Sequence, residues 1–553
     1  MTIKKIYTKI NWEDFIAISA LISCGFIFTH HISLITDIGL YDESNYLLWG
    51  FNFNKTIPPA ENGSGYSFWY YLLSLLEPDK VKAYYLNAKI LTVLLPLSIF
   101  ITLRALKAPV IAVFFVSILF LISTANFPMS PKVSQFGIII MLTGLSISLY
   151  VKEVYLKFCI LMLTALLVSY TRPEFYLSWI VFSCITTGYL IRILYKKIYS
   201  IGSIATISVT LILSFLIIII LGRPMGDGTR SILAFGQHYA ANWVMWNGSN
   251  LNPWTNWNTF FNADFKGSTS ILTAAITNPA AFLHHIISNA LALPNNLDRM
   301  VTLIYPDQIF KLISIQFKIL IISSIFYFSI LLFNIKKSNL QLNCPTPLHQ
   351  ASSLKYIVFL LILIFPSSIS VLIIGPREHY LLFLEILSIL ILFIAIIIPI
   401  SNFISSKIDN NSHQKSITPI ILICLATIFL VRPMAEFVKP QATDNLNTIE
   451  FIKSLNIKKK TNMLEAEGGY DIYLNDNFSR VPEYAKGEPF DVFKVKNSIN
   501  AIVVSTTLKN DSRFLTDSKW NEFISNPEAN GFIVLDIPDV KDRKLILNKE
   551  LLN

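Results

Sequence analysis

Asp42 and Glu43 are adjacent carboxylates in the run Gly39-Leu40-Tyr41-Asp42-Glu43-Ser44-Asn45-Tyr46. They stand just past the first long apolar stretch, where charge is costly and often serves function. A carboxylate so placed suits general-base work on a hydroxyl, and carboxylate oxygens also suit a hard cation. If a helix begins here, both acids lie in its first turn, where the helix dipole favours negative charge. The same residues would serve equally as an ordinary acidic helix start. Two arginines occupy comparable places between later apolar stretches: Arg172 in Thr171-Arg172-Pro173-Glu174 and Arg377 in Gly375-Pro376-Arg377-Glu378-His379-Tyr380. The planar guanidinium fork suits phosphate oxygens. Pairing with Glu174 or Glu378, or snorkelling to lipid headgroups, is the competing use.

Composition identifies the scaffold that must hold these groups. The 553 residues are 53% hydrophobic and 14% charged, with a mean hydropathy of +0.54. A soluble domain carries about 25% charged residues. Apolar runs of spanning length, about 20 residues each, recur to about residue 432, too far along the chain for a secretory leader followed by a soluble protein. They predict about eleven α-helical spans, near 14–34, 86–104, 108–124, 136–151, 157–171, 175–192, 203–221, 311–334, 356–374, 380–400 and 417–432, helices being the default where lipid offers no water to the backbone. The net charge of +10 does not indicate nucleic acid, because the basic residues sit mostly in short loops. Lys4, Lys5, Lys9, Arg104, Lys107, Lys152, Lys157, Arg192, Lys196, Lys197, Lys336, Lys337, Lys355, Lys407 and Lys415 mark one side, against Lys132, Arg172 and Arg377 on the other. That asymmetry puts the N-terminus inside and, with an odd number of spans, the C-terminus outside. Of Cys24, Cys159, Cys184, Cys344 and Cys424, all but Cys344 lie in apolar runs, and no disulfide framework or zinc spacing is present.

Two outer loops, about 35–85 and 222–310, belong to a membrane domain over 1–432, and an outer domain covers 433–553. Aromatic clusters such as Ser67-Phe68-Trp69-Tyr70-Tyr71 and Trp243-Val244-Met245-Trp246 favour the membrane–water boundary. The tail reads as a small α/β domain, with helices at Asn447–Leu455 and around Trp520–Ile524 and strands at Ala501–Thr506 and Phe532–Ile537. The polar loop near 338–354 is expected to be mobile. Lys132 reads as a headgroup contact. Arg223, Asp227, Arg230 and Gln237-His238-Tyr239 read mostly as solvated. His284-His285, with Asn289 on an amphipathic helix, reads as interfacial, since adjacent helical side chains diverge by roughly 100° and cannot share a metal. Glu465, Glu467 and Gly468-Gly469 make no nucleotide loop, and no P-loop or dinucleotide fingerprint occurs.

Asp42, Glu43 and Tyr46, placed directly after the first span, resemble the first-loop motif of GT-C glycosyltransferases. Protein O-mannosyltransferases and lipid A aminoarabinose transferases are the nearest in pattern. The layout is similar along nearly the whole chain: inside N-terminus, acidic first outer loop, many spans, outer C-terminal domain. The resemblance implies a GT-C-like polytopic fold and an inverting transfer of sugar from a polyprenyl-phosphate donor to a glycan, lipid or protein acceptor, on the outer side of a bacterial inner membrane. It implies Asp42 as base, with Glu43 orienting the acceptor or helping hold a divalent cation (Mg or Mn) where one is used. It implies Arg172 and Arg377 against the donor phosphate and Tyr46, His379 and Tyr380 against acceptor or sugar. The tail would contact the acceptor or cap the groove. A transporter or flippase would instead need buried ionisable residues within spans and internal repeats. The spans read as clean, and no repeat is found. An O-antigen ligase or polymerase would use the same donor class without an Asp-Glu pair after the first span.

Overall fold

The computed structural model describes residues 12–127, 129–197, 200–300, 347–399, 442–481, 488–509, 511, 514 and 516–552. The expected spans at 311–334 and 417–432, the first part of the 338–354 loop, the domain boundary at 432/433, Cys344 and Cys424 lie outside these residues. So do Lys4, Lys5, Lys9, Lys336, Lys337, Lys407 and Lys415.

Long apolar runs without water as a partner close their hydrogen bonds within helices, and the described part is mostly helical. From the N-terminus come α1 (Trp12–Thr29), α2 (Asp42–Phe51), α3 (Ser64–Ser74), α4 (Lys80–Ala105), α5 (Val110–Leu121), α6 (Val133–Tyr150), α7 (Val154–Ser169), α8 (Tyr176–Tyr195) and α9 (Ile201–Leu221). The long loop then folds as α10 (Thr229–Asn247), α11 (Pro253–Phe265), α12 (Ile271–Thr277) and α13 (Pro279–Met300). Then come α14 (Pro347–Ile373) and α15 (Glu378–Leu392). Among the described residues six helices are long and apolar enough to cross a membrane: α1, α4, α6, Pro173–Tyr195, α9 and Glu378–Ile397. A seventh counts if α12 and α13, bent by 116°, form one broken span. Val110–Leu121, Val154–Ser169 and Ile357–Ile373 are apolar but shorter. Every expected span inside the described residues coincides with one of these helices.

Lipid tails are as apolar as leucine, so contacts between such helices rest on packing and interhelical hydrogen bonds more than on hydrophobic transfer. Leu91, Leu95, Ile99 and Leu103 form one fully buried stripe of α4, and Met141, Leu142 and Leu145 are buried on α6. Thr102 Oγ1 and Ser146 Oγ, 2.8 Å apart, bridge the same two helices. The spans are less clean than their sequence suggests. Glu385, in the middle of α15, is buried at 4% exposure, and its Oε2 has no hydrogen-bond partner among the described residues. Leucines and isoleucines surround it in sequence, so the run reads as uniformly apolar.

At one end of the bundle the loops are tied to each other. Gly65 N–H donates to Tyr170 O at 2.8 Å, and Tyr170 donates its hydroxyl to Gly222 O at 2.9 Å. The His285 ring lies 2.9 Å from Ile373 O. At α1's first turn Arg104 grips Asp14 through Nε at 2.5 Å and Nη2 at 3.1 Å, a bidentate pair that fixes the α1–α4 register.

The tail forms helix α16 (Asp444–Ser454) and a sheet of β1 (Thr461–Leu464), β2 (Phe478–Arg480), β3 (Ala501–Val504), β4 (Phe532–Asp536) and β5 (Lys544–Asn548), in the order β2-β1-β3-β5-β4. The β1–β2 and β1–β3 pairs are parallel, and β3–β5 and β4–β5 are antiparallel. The four residues of β3 are all buried, as an apolar central strand requires. The expected helices and strands at 447–455, 501–506, 520–524 and 532–537 match, while β1, β2 and β5, each with three or fewer consecutive apolar residues, carry too short an apolar run to announce a strand.

Candidate functional site

The acidic pair opens α2, and the two side chains part company there. Neighbours on a helix diverge by about 100°, so Asp42 is exposed while Glu43 is buried at 2% exposure. Glu43 Oε1 accepts from the Tyr66 hydroxyl at 2.6 Å, the Tyr70 hydroxyl at 2.5 Å and Asn87 Nδ2 at 3.2 Å. Its Oε2 accepts from the Lys132 backbone N–H at 2.8 Å. Burial pushes the Glu43 carboxyl above its usual range, and the hydrogen bonds from Tyr66, Tyr70 and Lys132 N–H offset part of that rise. Lys132 points its ammonium inward, donating to Asn126 O at 3.1 Å, Phe127 O at 3.2 Å and Gln135 Oε1 at 3.0 Å. Burial lowers it to about 7, against the pull of Glu43.

Lys132 is a buried side chain, not a headgroup contact. Glu43 has both oxygens hydrogen-bonded to protein donors and anchors α2. Asp42 differs: among the described residues its carboxylate has no hydrogen bond or ion pair.

The basic groups gather around Tyr46 and Tyr380. Arg172, 7% exposed, donates Nε and Nη2 to Glu174 Oε1 at 2.9 and 2.7 Å and Nη1 to Ser134 Oγ at 3.2 Å. Its guanidinium lies 4.4 Å from the Tyr380 ring centre. Arg377 stacks 4.6 Å from the Trp254 ring centre. Among the described residues it has no side-chain hydrogen bond or ion pair, so the competing pairing holds for Arg172 with Glu174 and not for Arg377 with Glu378. Arg230 donates Nη1 to Glu61 O at 2.7 Å and Nη2 to the Tyr46 hydroxyl at 3.1 Å. Asp42, Arg172 and Arg377 all lie within electrostatic reach of Tyr380, and Asp42 within reach of Arg230. His238 stands beside Arg377. Gly375 permits this, because a Cβ there would meet His238 Nδ1 at 2.8 Å. Burial first, then Arg377 and His285, push His238 down to about 3, so its ring is neutral near pH 7.

No protein-family model matches this chain, and no curated protein does. The chemistry is therefore read from the side chains themselves.

Among the described residues no three His, Cys, Asp or Glu side chains come together as a metal site would need. Glu43 meets four protein donors, and Asp42 is the member of the pair without a hydrogen-bond partner among the described residues. Of the expected sugar contacts, Tyr46 and His379 are buried at 4% and 7% exposure. Tyr46 holds Arg230, and His379 lies within electrostatic reach of Arg172, Arg377 and His238. Tyr380 is half-buried and stays available. Arg230 and His238, read as solvated, are partly enclosed. His285 is fully buried, meeting Asn242 Nδ2 at 2.9 Å and Asn289 Nδ2 at 3.1 Å. His284 remains exposed and stacks on Trp246 with ring centres 4.0 Å apart. Only Arg230's place two residues after Gly228, at a helix start, could have flagged it. Trp254 had the signal of Asn252-Pro253 ahead of it, a cap followed by proline at the first helical position.

Proposed function

We propose that this protein is an inverting, GT-C-type glycosyltransferase of a bacterial inner membrane, moving a sugar from a polyprenyl-phosphate donor to a hydroxyl of a glycan, lipid or protein on the periplasmic side. The observation that carries this reading is an exposed Asp42, without a partner among the described residues, within electrostatic reach of Arg230 and, across Tyr380, of Arg172 and Arg377, at one end of a bundle of lipid-compatible helices. In the transfer the Asp42 carboxylate takes the acceptor's proton as its oxygen forms a bond to the anomeric carbon. The bond from that carbon to the phosphate oxygen breaks, and its electron pair leaves with the lipid phosphate. Attack opposite the leaving group inverts the centre. Charge grows on the phosphate, where Arg377, with an unshared fork, and Arg230 stabilise it. Arg172, neutralised by Glu174, holds Tyr380 in place.

The test is Asp42→Asn, purified and supplied with polyprenyl-linked sugars extracted from the native membrane, with release of lipid phosphate as the readout. Loss of a general base should slow release about 10²–10⁴-fold. Release at the wild-type rate removes the assignment.

Glu385 favours a second reading, a transporter or lipid-linked glycan flippase, because a carboxylate buried within a span, its Oε2 without a hydrogen bond among the described residues, is characteristic of a transport path. In that case Glu385→Gln stops movement of the lipid-linked sugar across reconstituted vesicles and Asp42→Asn does not. In the enzyme the dependence is reversed.

A further inference from the structure

The C-terminal domain touches the first loop at the residue immediately before Asp42. Tyr41 N–H donates to Gly468 O at 2.8 Å, and the Tyr41 hydroxyl donates to Ala466 O. Tyr41 is held at φ 59°, ψ −106°, a left-handed backbone that a bulky residue keeps only when its surroundings impose it. Its carbonyl accepts from Ser44 Oγ at 2.9 Å, which binds it to the first turn of α2.

The gripping loop is itself well built. The Glu465 carboxylate accepts from Gly468 N–H at 2.5 Å and Gly469 N–H at 2.8 Å, and Arg480 pairs with it at 3.1 Å. Gly468 has φ 75°, and a Cβ there would lie 2.3 Å from Tyr41 Cε1. A Cβ on Gly469 would lie 2.6 Å from Ser44 Oγ. Two further ties join the tail to the first loop. The Asp37 carboxylate accepts from Asn445 N–H at 2.8 Å and Leu446 N–H at 2.9 Å, capping α16 from outside the tail. Tyr473 donates its hydroxyl to Gly39 O at 3.4 Å.

We infer that the Ala466–Gly469 loop of the C-terminal domain positions Asp42, through Tyr41, so that the domain sets the aim of the base. This rests on the glycosyltransferase reading for its consequence in catalysis. Tyr41, Gly468 and Glu465 are positioning residues. From inside the bundle Glu43 anchors the same turn. From outside the tail loop fixes the backbone that enters it, and Asp42, bonded to nothing itself, points where those two constraints direct it.

The experiment uses the full-length protein in nanodiscs with the same native donor and acceptor extract. Tyr41→Phe, which loses one hydrogen bond, should lower kcat about tenfold with donor KM unchanged. Gly468→Ala drives the Tyr41 ring aside and should lower kcat about a hundredfold, as small misplacements of a catalytic group do. Adding Tyr41→Ala to Gly468→Ala removes the clash, so the double variant should be better than the sum of its parts. Unchanged kcat in both single variants, or a raised acceptor KM with kcat intact, overturns the inference. Hydrogen exchange over residues 39–46 reads the clamp without substrate: both variants should exchange faster there, and unchanged exchange overturns the clamp. If wild-type protein releases no lipid phosphate at all, the glycosyltransferase reading fails, and the exchange result alone decides the clamp.

Discussion

Asp42 and Glu43 are chemically near-identical, and their different surroundings separate their roles. Glu43 meets two phenols, an amide and a backbone N–H, which hold its carboxyl group in place. Asp42 meets none of these. The arginines divide in the same way. Arg172 is neutralised by Glu174 at 2.7 Å, whereas Arg377 keeps its fork and stacks on Trp254. Arg377→Ala should therefore raise donor KM by about tenfold to a hundredfold, the loss of a charged hydrogen bond of about 1.5–3 kcal/mol. Arg377→Lys should recover part of it. Equal KM values for the two variants would rule out a bidentate phosphate contact.

Single helices bring together groups far apart in sequence. Helix α10 starts after Gly228 in the left-handed conformation and carries Arg230 toward Tyr46 and His238 toward Arg377. Enclosure on α10 has a pH signature. His238 titrates near 6.5 in the unfolded chain and about 3 in the fold. Between those values the unfolded state binds more protons, so this group's contribution to stability falls as pH drops from 6.5 towards 3. Melting temperature in detergent should fall less between pH 7 and pH 5 for His238→Gln than for wild type. An identical fall in both would show that His238 is not held neutral.

Across the whole molecule, the first loop, the Ser130–Lys132 turn, the 170–175 turn, the long loop, the 375–380 turn and the tail meet at one end. In the proposed reading that end faces outside, which the charge bias of the short loops supports. Cysteine placed at exposed Lys541 of the tail should react with an impermeant maleimide in spheroplasts, in a background lacking the native cysteines. Cysteine at exposed Lys152, on the opposite short loop, should react only after permeabilisation. Labelling of Lys152→Cys from outside would invert the molecule and place Asp42 in the cytoplasm.

The helical spans were legible in the sequence because a long apolar run has one stable answer in lipid, whatever it packs against. Local chemistry also marked the start of α2 after Tyr41, the positions of Arg172 and Arg377 at span ends, and the β3 strand. The pattern could not tell which of two adjacent carboxylates turns inward, that Lys132 is enclosed, or that Arg230 reaches Tyr46. These depend on contacts between residues 89 or 184 positions apart, and no local periodicity encodes such a distance. The grip of Gly468 on Tyr41 is the extreme case, joining residues more than four hundred positions apart. Where Asp42 points is decided by tertiary packing alone, the tail against the first loop and Glu43 against the bundle.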